Sequence, residues 1–341
     1  MSFKTKTRRL LVAGAAAVAS ALVLAGCGAI TPANSSGEEQ EFELADYIQQ
    51  RIDDGDPLRI KLSYHDPSLA FATPIKAGME KAGEEFGVDV SLIGPTGGDA
   101  AKQVSELQTL IQQKAVDGLA VSSASSDALK PVISQAYDAG IPIISFNTDN
   151  PGSDQMGFVG QDLKASGASE AEELLKTLGD SASGKVVVFS LDTGAGWSHD
   201  RFGGFEEALA DTDLEVVGPV NVGNEPSEAY NTVASTMAGQ KDVVAIAGLD
   251  CCSTTAAAKW IAQSGKAADI AMVGFDLLST TAGYIEEGVV TFTISQNPTE
   301  QGYQAVKVLT DFLQEGMPIE GVDTGAQIIT KENLDEATVE D

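Results

Sequence analysis

From Arg59 onward the chain repeats one pattern, in which short runs of β-branched and apolar residues alternate with amphipathic segments of ten to sixteen residues. Strands separated by helix-length segments are joined by crossovers, so repetition of the unit specifies parallel sheets covered by helices. Strand-like runs lie at 59–64, 88–93, 118–122, 142–146, 185–190, 215–220, 243–247, 270–274 and 290–295. Between them, Ile75, Met79, Ala82 and Phe86 share one helical face, and Val104, Leu107, Leu110 and Ile111 another; such stripes are core. After 156–160 the register restarts, with a strand leading into Gln161-Asp162, a new helix, and a further strand at Lys185-Val186-Val187-Val188. Two similar α/β halves follow.

The N-terminus belongs to a different regime. Lys4, Lys6, Arg8 and Arg9 precede an apolar run from Leu10 to Leu24 that ends in Leu24-Ala25-Gly26-Cys27. Interrupted by Gly14 and Ser20, the run is short for a span of ~20 residues and has the order of a secretory signal. Residues 1–26 are therefore expected to be a lipoprotein signal peptide, with Cys27 the lipidated residue that ties the chain to the outer face of the cell membrane. Residues 27–57 are rich in Ser, Asn, Glu, Gln and Asp, which predicts a flexible tether with a short helix over 41–52. The remainder, about 280 residues, suits two medium-sized lobes. Nothing later in the sequence is apolar enough to span a membrane.

The formal net charge of −29 becomes more negative when the four basic residues of the signal are removed, which excludes a nucleic acid partner. Besides Cys27 the only cysteines are the neighbours Cys251 and Cys252, whose Cα atoms lie ~3.8 Å apart, closer than the usual disulfide window. No disulfide framework is expected; the pair reads as small, polarisable residues lining a helix start, with a vicinal redox pair as the alternative.

In open parallel sheets ligands bind beyond the carboxyl ends of the strands, and here those ends are polar or aromatic. The first strand runs into Tyr64-His65-Asp66-Pro67 and Phe71, and the fourth into Asn147-Thr148-Asp149-Asn150. The first strand of the second half is followed by Asp192-Thr193-Gly194, Trp197 and Arg201, and later ones end at Asp250, Asp276 and Gln296. A polyhydroxylated ring needs flat apolar faces for its C–H groups and acceptors or donors that engage its hydroxyls. Phe71 and Trp197 supply the first; Asp66, Asn147, Asp149, Asp250 and Asp276 accept, and Arg201 donates. Each aspartate after a strand has a plainer reading as a helix cap.

Over 58–334 the chain resembles the ribose- and galactose-type periplasmic binding proteins. Asp66-Pro67 with Phe71 and Pro74-Ile75-Lys76-Ala77-Gly78 is similar to that family's Asn-Pro-Phe entry loop and first helix, although Ser68, Leu69 and Ala70 stand between Pro and Phe. The segment from Ile141 to Asn147 matches the one holding a ligand-binding Asp or Asn followed by Arg, with Thr148 in the arginine's place. Arg201-Phe202-Gly203-Gly204-Phe205 resembles Arg-x-x-Gly-Phe, and Val273-Gly274-Phe275-Asp276 resembles Val-Gly-Phe-Asp; both are ligand-binding motifs. Ser295-Gln296-Asn297-Pro298 with Gly302 is similar to the last crossover strand, whose Gln contacts ligand. After Val220, where relatives often carry a stacking aromatic, this chain has Val222-Gly223-Asn224.

The resemblance implies two Rossmann-like, doubly wound parallel-sheet lobes joined by a three-strand hinge: an N-terminal lobe of 58–160 plus 297–323 and a C-terminal lobe of 161–296 plus 324–341. It implies a monomeric solute-binding lipoprotein of an ABC transporter that closes over a sugar or polyol, without a cofactor or metal, and delivers it to the permease subunits. It also accommodates a second role, presentation of a sugar-like signal to a membrane receptor. An enzyme is disfavoured, because the only histidines are His65 and His199 and Ser198-His199-Asp200 are consecutive and cannot converge as a triad. No dinucleotide or phosphate loop is present. A sugar-responsive repressor would carry a basic helix-turn-helix where this chain has its signal and tether.

Overall fold

Residues 42–179 and 182–339 are described by a computed structural model; the expected signal segment and Cys27 lie outside the described residues. The alternating pattern resolves into two sheets. The first comprises β1 (Arg59–Ser63), β2 (Asp89–Ile93), β3 (Gly118–Val121), β4 (Ile143–Phe146), β5 (Phe158–Gly160) and β11 (Val322–Asp323), in the order β11-β5-β4-β3-β1-β2. All its pairings are parallel. The second comprises β6 (Ser183–Ser190), β7 (Asp213–Asn221), β8 (Val243–Gly248), β9 (Ala271–Phe275), β10 (Phe292–Ser295) and β12 (Gln327–Thr330), in the order β12-β10-β9-β8-β6-β7. There only the edge pair β10–β12 is antiparallel.

The helices are α1 (Asp46–Asp54), α2 (Ala72–Phe86), α3 (Ala100–Gln112), α4 (Ser126–Asp138), α5 (Leu163–Leu178), α6 (Gly196–Leu209), α7 (Pro226–Ala238), α8 (Cys251–Ser264), α9 (Ser279–Glu286) and α10 (Pro298–Glu315). Because helices cover both faces, strands such as β3, β4 and β10 are buried at every position, which explains their unbroken apolar runs. Among the described residues no helix is long and apolar enough to cross a membrane.

The segment expected to be a tether is packed onto the first lobe from Phe42 onward. The Phe42 ring lies 5.1 Å from that of Tyr137, and α1 buries Ile48 completely. Tyr47 donates to the carbonyl of Val116 at 2.6 Å, and Arg51 reaches the buried carboxylate of Asp117 at 3.3 Å. Composition misled here because α1 is polar on its outer face and carries its apolar contacts on a narrow one.

Close helix crossings fix the strand ends. At the α5–α6 crossing, a Cβ on Gly167 would lie 1.8 Å from the carbonyl oxygen of Arg201, and one on Gly204 1.9 Å from that of Lys164. Only glycine lets these backbones approach so closely, and the approach sets the height of Arg201. In the first lobe the buried Gln103 of α3 donates to Ser63 Oγ at 3.0 Å and to the Ser122 carbonyl at 2.9 Å, and accepts from the Ala124 amide at 2.9 Å. It thereby holds the ends of β1 and β3 together.

Between the sheets the chain crosses after β5, after β10 and after β11. These crossings are bonded to one another: Thr324 donates its amide to Gly160 and its hydroxyl to the Gln296 carbonyl, each at 3.0 Å, and Gln161 donates to the Gly325 carbonyl at 3.0 Å.

Candidate ligand-binding site

The carboxyl ends of the two sheets face a cavity with about 410 Å³ of empty space, part of it open to solvent. Tyr64, His65, Leu69, Phe71 and Asn147 line it from the first lobe; Leu163, Leu191, Trp197, Arg201, Asp250, Cys251, Asp276 and Gln296 line it from the second. Seven of the residues singled out in the sequence therefore converge: Phe71, Asn147, Trp197, Arg201, Asp250, Asp276 and Gln296.

Arg201 is the only cation among these lining residues, and it is 2% exposed. Its guanidinium lies 3.8 Å from the centroid of the Phe275 ring, a cation–π arrangement that fixes its plane. Nη1 donates to the Leu249 carbonyl at 2.6 Å, while Nη2 donates to Gln161 Oε1 at 3.1 Å and to Gln296 Oε1 at 3.4 Å. Its buried Nε is a donor without a hydrogen-bond partner in the protein. Trp197, one turn earlier on α6, places its ring centroid 6.0 Å from the guanidinium carbon.

Asp276 ends β9 with φ 71° and accepts from Gln296 Nε2 at 2.7 Å. Burial pushes its carboxyl up from 3.8 to about 6, against the pull of Arg201 and of the Gln296 hydrogen bond. Asn147 ends β4 with φ 60°; it accepts from Ser122 Oγ at 3.0 Å and donates to Gln301 Oε1 at 3.1 Å. With the Ser122 proton given to Asn147, His65 Nδ1, 2.9 Å from the same hydroxyl, is the donor of that contact. Burial pushes His65 down to about 4, so it faces the cavity as a neutral ring.

Three of the expected ligand acceptors make local bonds in this geometry. Asp66 accepts from the amide and hydroxyl of Ser68 through Oδ1 and borders an adjoining space rather than this cavity. Asp149 accepts from the Asn150 amide and from Gln155 and borders a separate hollow beside the hinge. Asp250 does line the cavity but caps α8: its two oxygens accept from the amides of Leu191, Cys252 and Ser253 and from the Ser253 hydroxyl, at 2.7–2.9 Å. Four bonds fill a carboxylate's accepting capacity, so Asp250 shapes the wall rather than offering an acceptor.

Leu69, Leu163, Leu191 and Cys251 were missed because apolar residues near strand ends look like core, and Tyr64 and His65 because they adjoin the more conspicuous Asp66. The residues between Pro67 and Phe71 carry Leu69 into the cavity wall. Asn221, Gly223 and Asn224 line only the adjoining space, and Trp197, which lines both spaces, is the second lobe's aromatic wall.

Two α/β lobes with a polar, ring-lined cavity between facing strand ends define a hinged binder of small solutes. The chain belongs to the periplasmic binding protein family, whose domain matches residues 60–317, and that family binds solutes and does not catalyse. The xylose/arabinose-binding protein of Sulfolobus acidocaldarius is 25% identical over 287 residues, covering 79% of this chain and 70% of that protein. The ribose import binding protein of Bacillus subtilis is 26% identical over 254 residues, 74% of this chain and 81% of that one. Among solved structures, the ABC transporter solute-binding protein of Burkholderia graminis in complex with D-arabinose superposes with a TM-score of 0.78 at 23% identity, covering 82% of this chain and 98% of the other. That of Agrobacterium vitis with bound D-fucose gives 0.76 at 25% identity, covering 82% and 97%.

Proposed function

We propose that the protein captures a monosaccharide or polyol outside the cytoplasm, by closing its lobes over the ligand, and delivers it to the permease of an ABC transporter while held to the membrane through lipid on Cys27. The observation that carries this reading is that Arg201 and Asp276 from one sheet and Asn147 from the other line one cavity together with the rings of Phe71 and Trp197. Hydroxyls donate to Asp276 and accept from Arg201 and the Asn147 amide, while the rings cover C–H faces. Because the groups stand on two lobes, a ligand engages all of them only when the cleft is closed, so binding and closure are coupled. The sugar-binding relatives support a ligand of one ring.

The reading is tested by a thermal-shift screen over pentoses, hexoses, polyols and inositols, followed by calorimetry on any hit. A 1:1 complex with one of these classes is expected; a protein that binds none of them but binds an amino acid or peptide would overturn it. The anchor is tested separately, by metabolic labelling with a fatty-acid analogue in the native host. Label is expected on the natural chain and not on Cys27→Ser.

A further inference from the structure

The function proposed above makes no use of the two adjacent thiols in the second lobe. Cys251 and Cys252 are the first two residues of α8, with their sulfurs 3.7 Å apart. Cys251 lines the ligand cavity. Both pack against the apolar core of the first lobe, across the cleft from their own sheet, so the pair stands where the two lobes meet. Cys251 is buried, and Cys252 is the less buried partner.

We propose that Cys251 and Cys252 form a reversible redox pair in the cavity wall, closed to a vicinal disulfide by disulfide-bearing oxidants of the extracytoplasmic space, and that its closure loosens the site. Cys252 loses its proton and its thiolate attacks one sulfur of an incoming disulfide, such as oxidised glutathione, expelling a glutathione thiolate. Cys251 then gives up its proton and attacks the Cys252 sulfur, expelling the second glutathione thiolate. Two protein thiols are oxidised, one disulfide is reduced, and the two protons released reappear on the two glutathione thiols. The hydrogen bond that Cys251 donates to Cys252, together with burial, holds the Cys251 thiol well above its ordinary range, in keeping with Cys252 as the sulfur that meets the oxidant.

The first turn of α8 cannot stay helical through this step. Successive side chains on a helix point about 100° apart, and a bonded pair needs its sulfurs about 2.05 Å from one another. Unwinding the turn removes the bonds from the Cys252 and Ser253 amides to Asp250, and Asp250 is also the acceptor for the Leu191 amide. Leu191 is a wall of the cavity, and the neighbouring Leu249 carbonyl holds Arg201. The strain makes the disulfide readily reducible, so the pair switches rather than locks.

The test uses the mature protein incubated with an excess of oxidised glutathione, then examined by intact mass, maleimide labelling after denaturation, and hydrogen exchange. Expected are a loss of about 2 Da, two blocked thiols, at least tenfold faster exchange at the Cys252, Ser253 and Leu191 amides, and reversal by dithiothreitol. Cys252→Ser should show none of the exchange changes. Thiols that stay reduced, or a disulfide that leaves exchange unchanged, overturn the proposal. The consequence for binding rests on the sugar-binding reading and is probed with D-ribose: if the reduced protein binds it, the oxidised form should bind at least tenfold more weakly. A reduced protein that ignores D-ribose and all other sugars counts against that reading, not against the thiol pair.

Discussion

Asn147 and Asp276 occupy the same place in the two sheets: each follows a phenylalanine at the end of its sheet's third strand, β4 and β9, and each has a left-handed backbone, φ 60° and 71°. Short polar side chains tolerate that conformation best, and it turns the chain at the cavity. Each amide is bonded to the neighbouring crossover strand, Asn147 to Val159 at 2.9 Å and Asp276 to Ile294 at 2.8 Å. The lobes thus present one amide and one carboxylate from equivalent corners.

The state of Asp276 sets a pH dependence for binding. Its ligand-free carboxyl titrates at about 6, and hydroxyls that donate to it favour the ionised form. Affinity is therefore full above pH 6 and falls as pH drops through that value, by up to about tenfold per pH unit. Asp276→Asn should bind more weakly at pH 7.5 and lose this dependence; calorimetry at pH 5.0, 6.0 and 7.5 checks both.

Removing the cation is more damaging than removing its neighbours. Arg201→Ala is expected to weaken sugar binding by about 2 kcal/mol or more, roughly 30-fold, because ligand hydroxyls would be buried unpaired. Arg201→Lys should recover little of it, since a point charge cannot reproduce the planar fork that spans Leu249, Gln161 and Gln296. Fluorescence titration monitored at Trp197 distinguishes the two variants.

Glu170 gives a stability prediction of the opposite sign. It is fully buried on α5, and neither of its carboxylate oxygens has a hydrogen-bond partner. Burial drives it well above the usual carboxylate range, opposed by Arg201 and reinforced by Asp250. A carboxyl raised in the folded state gives its full stability below the unfolded value near 4.5, and that stability is lost as pH rises through the folded value. Glu170→Met should therefore raise stability at pH 7.5 by about 1–3 kcal/mol and flatten the dependence above pH 4.5, measured by urea unfolding.

Deleting residues 28–57 tests the docking of α1. A free tether would be dispensable, whereas burial of Ile48 is worth about 1.5–3 kcal/mol and Asp117 loses Arg51. The truncated chain should lose at least about 2 kcal/mol of stability with little change in ligand affinity.

Those expectations mark where the sequence was legible. The strands were readable from β-branched runs because parallel strands are buried on both faces, Asp276 and Gln296 because their motifs sit at strand ends, and Arg201 because its motif lies in the helix that follows β6. What failed was the use of each side chain once it arrived there. Asp66, Asp149 and Asp250 have the residue type and position of ligand acceptors, yet each finds donors within a few residues of itself, and only Asp250 also bonds a distant amide, that of Leu191. Local capping and ligand contact use the same chemistry, so pattern alone does not separate them. The edge strands β11 and β12, two and four residues long, were not anticipated.

The central claim is that Asn147 of one lobe and Arg201 of the other act on one ligand together, and a double-mutant cycle measures it directly. With the sugar identified by screening, calorimetry on Asn147→Ala, Arg201→Ala and the double variant should return a coupling energy of about 1 kcal/mol or more, since losing either group weakens the closure through which the other acts. Additive losses, or near wild-type affinity in either single variant, would contradict a shared site between the lobes.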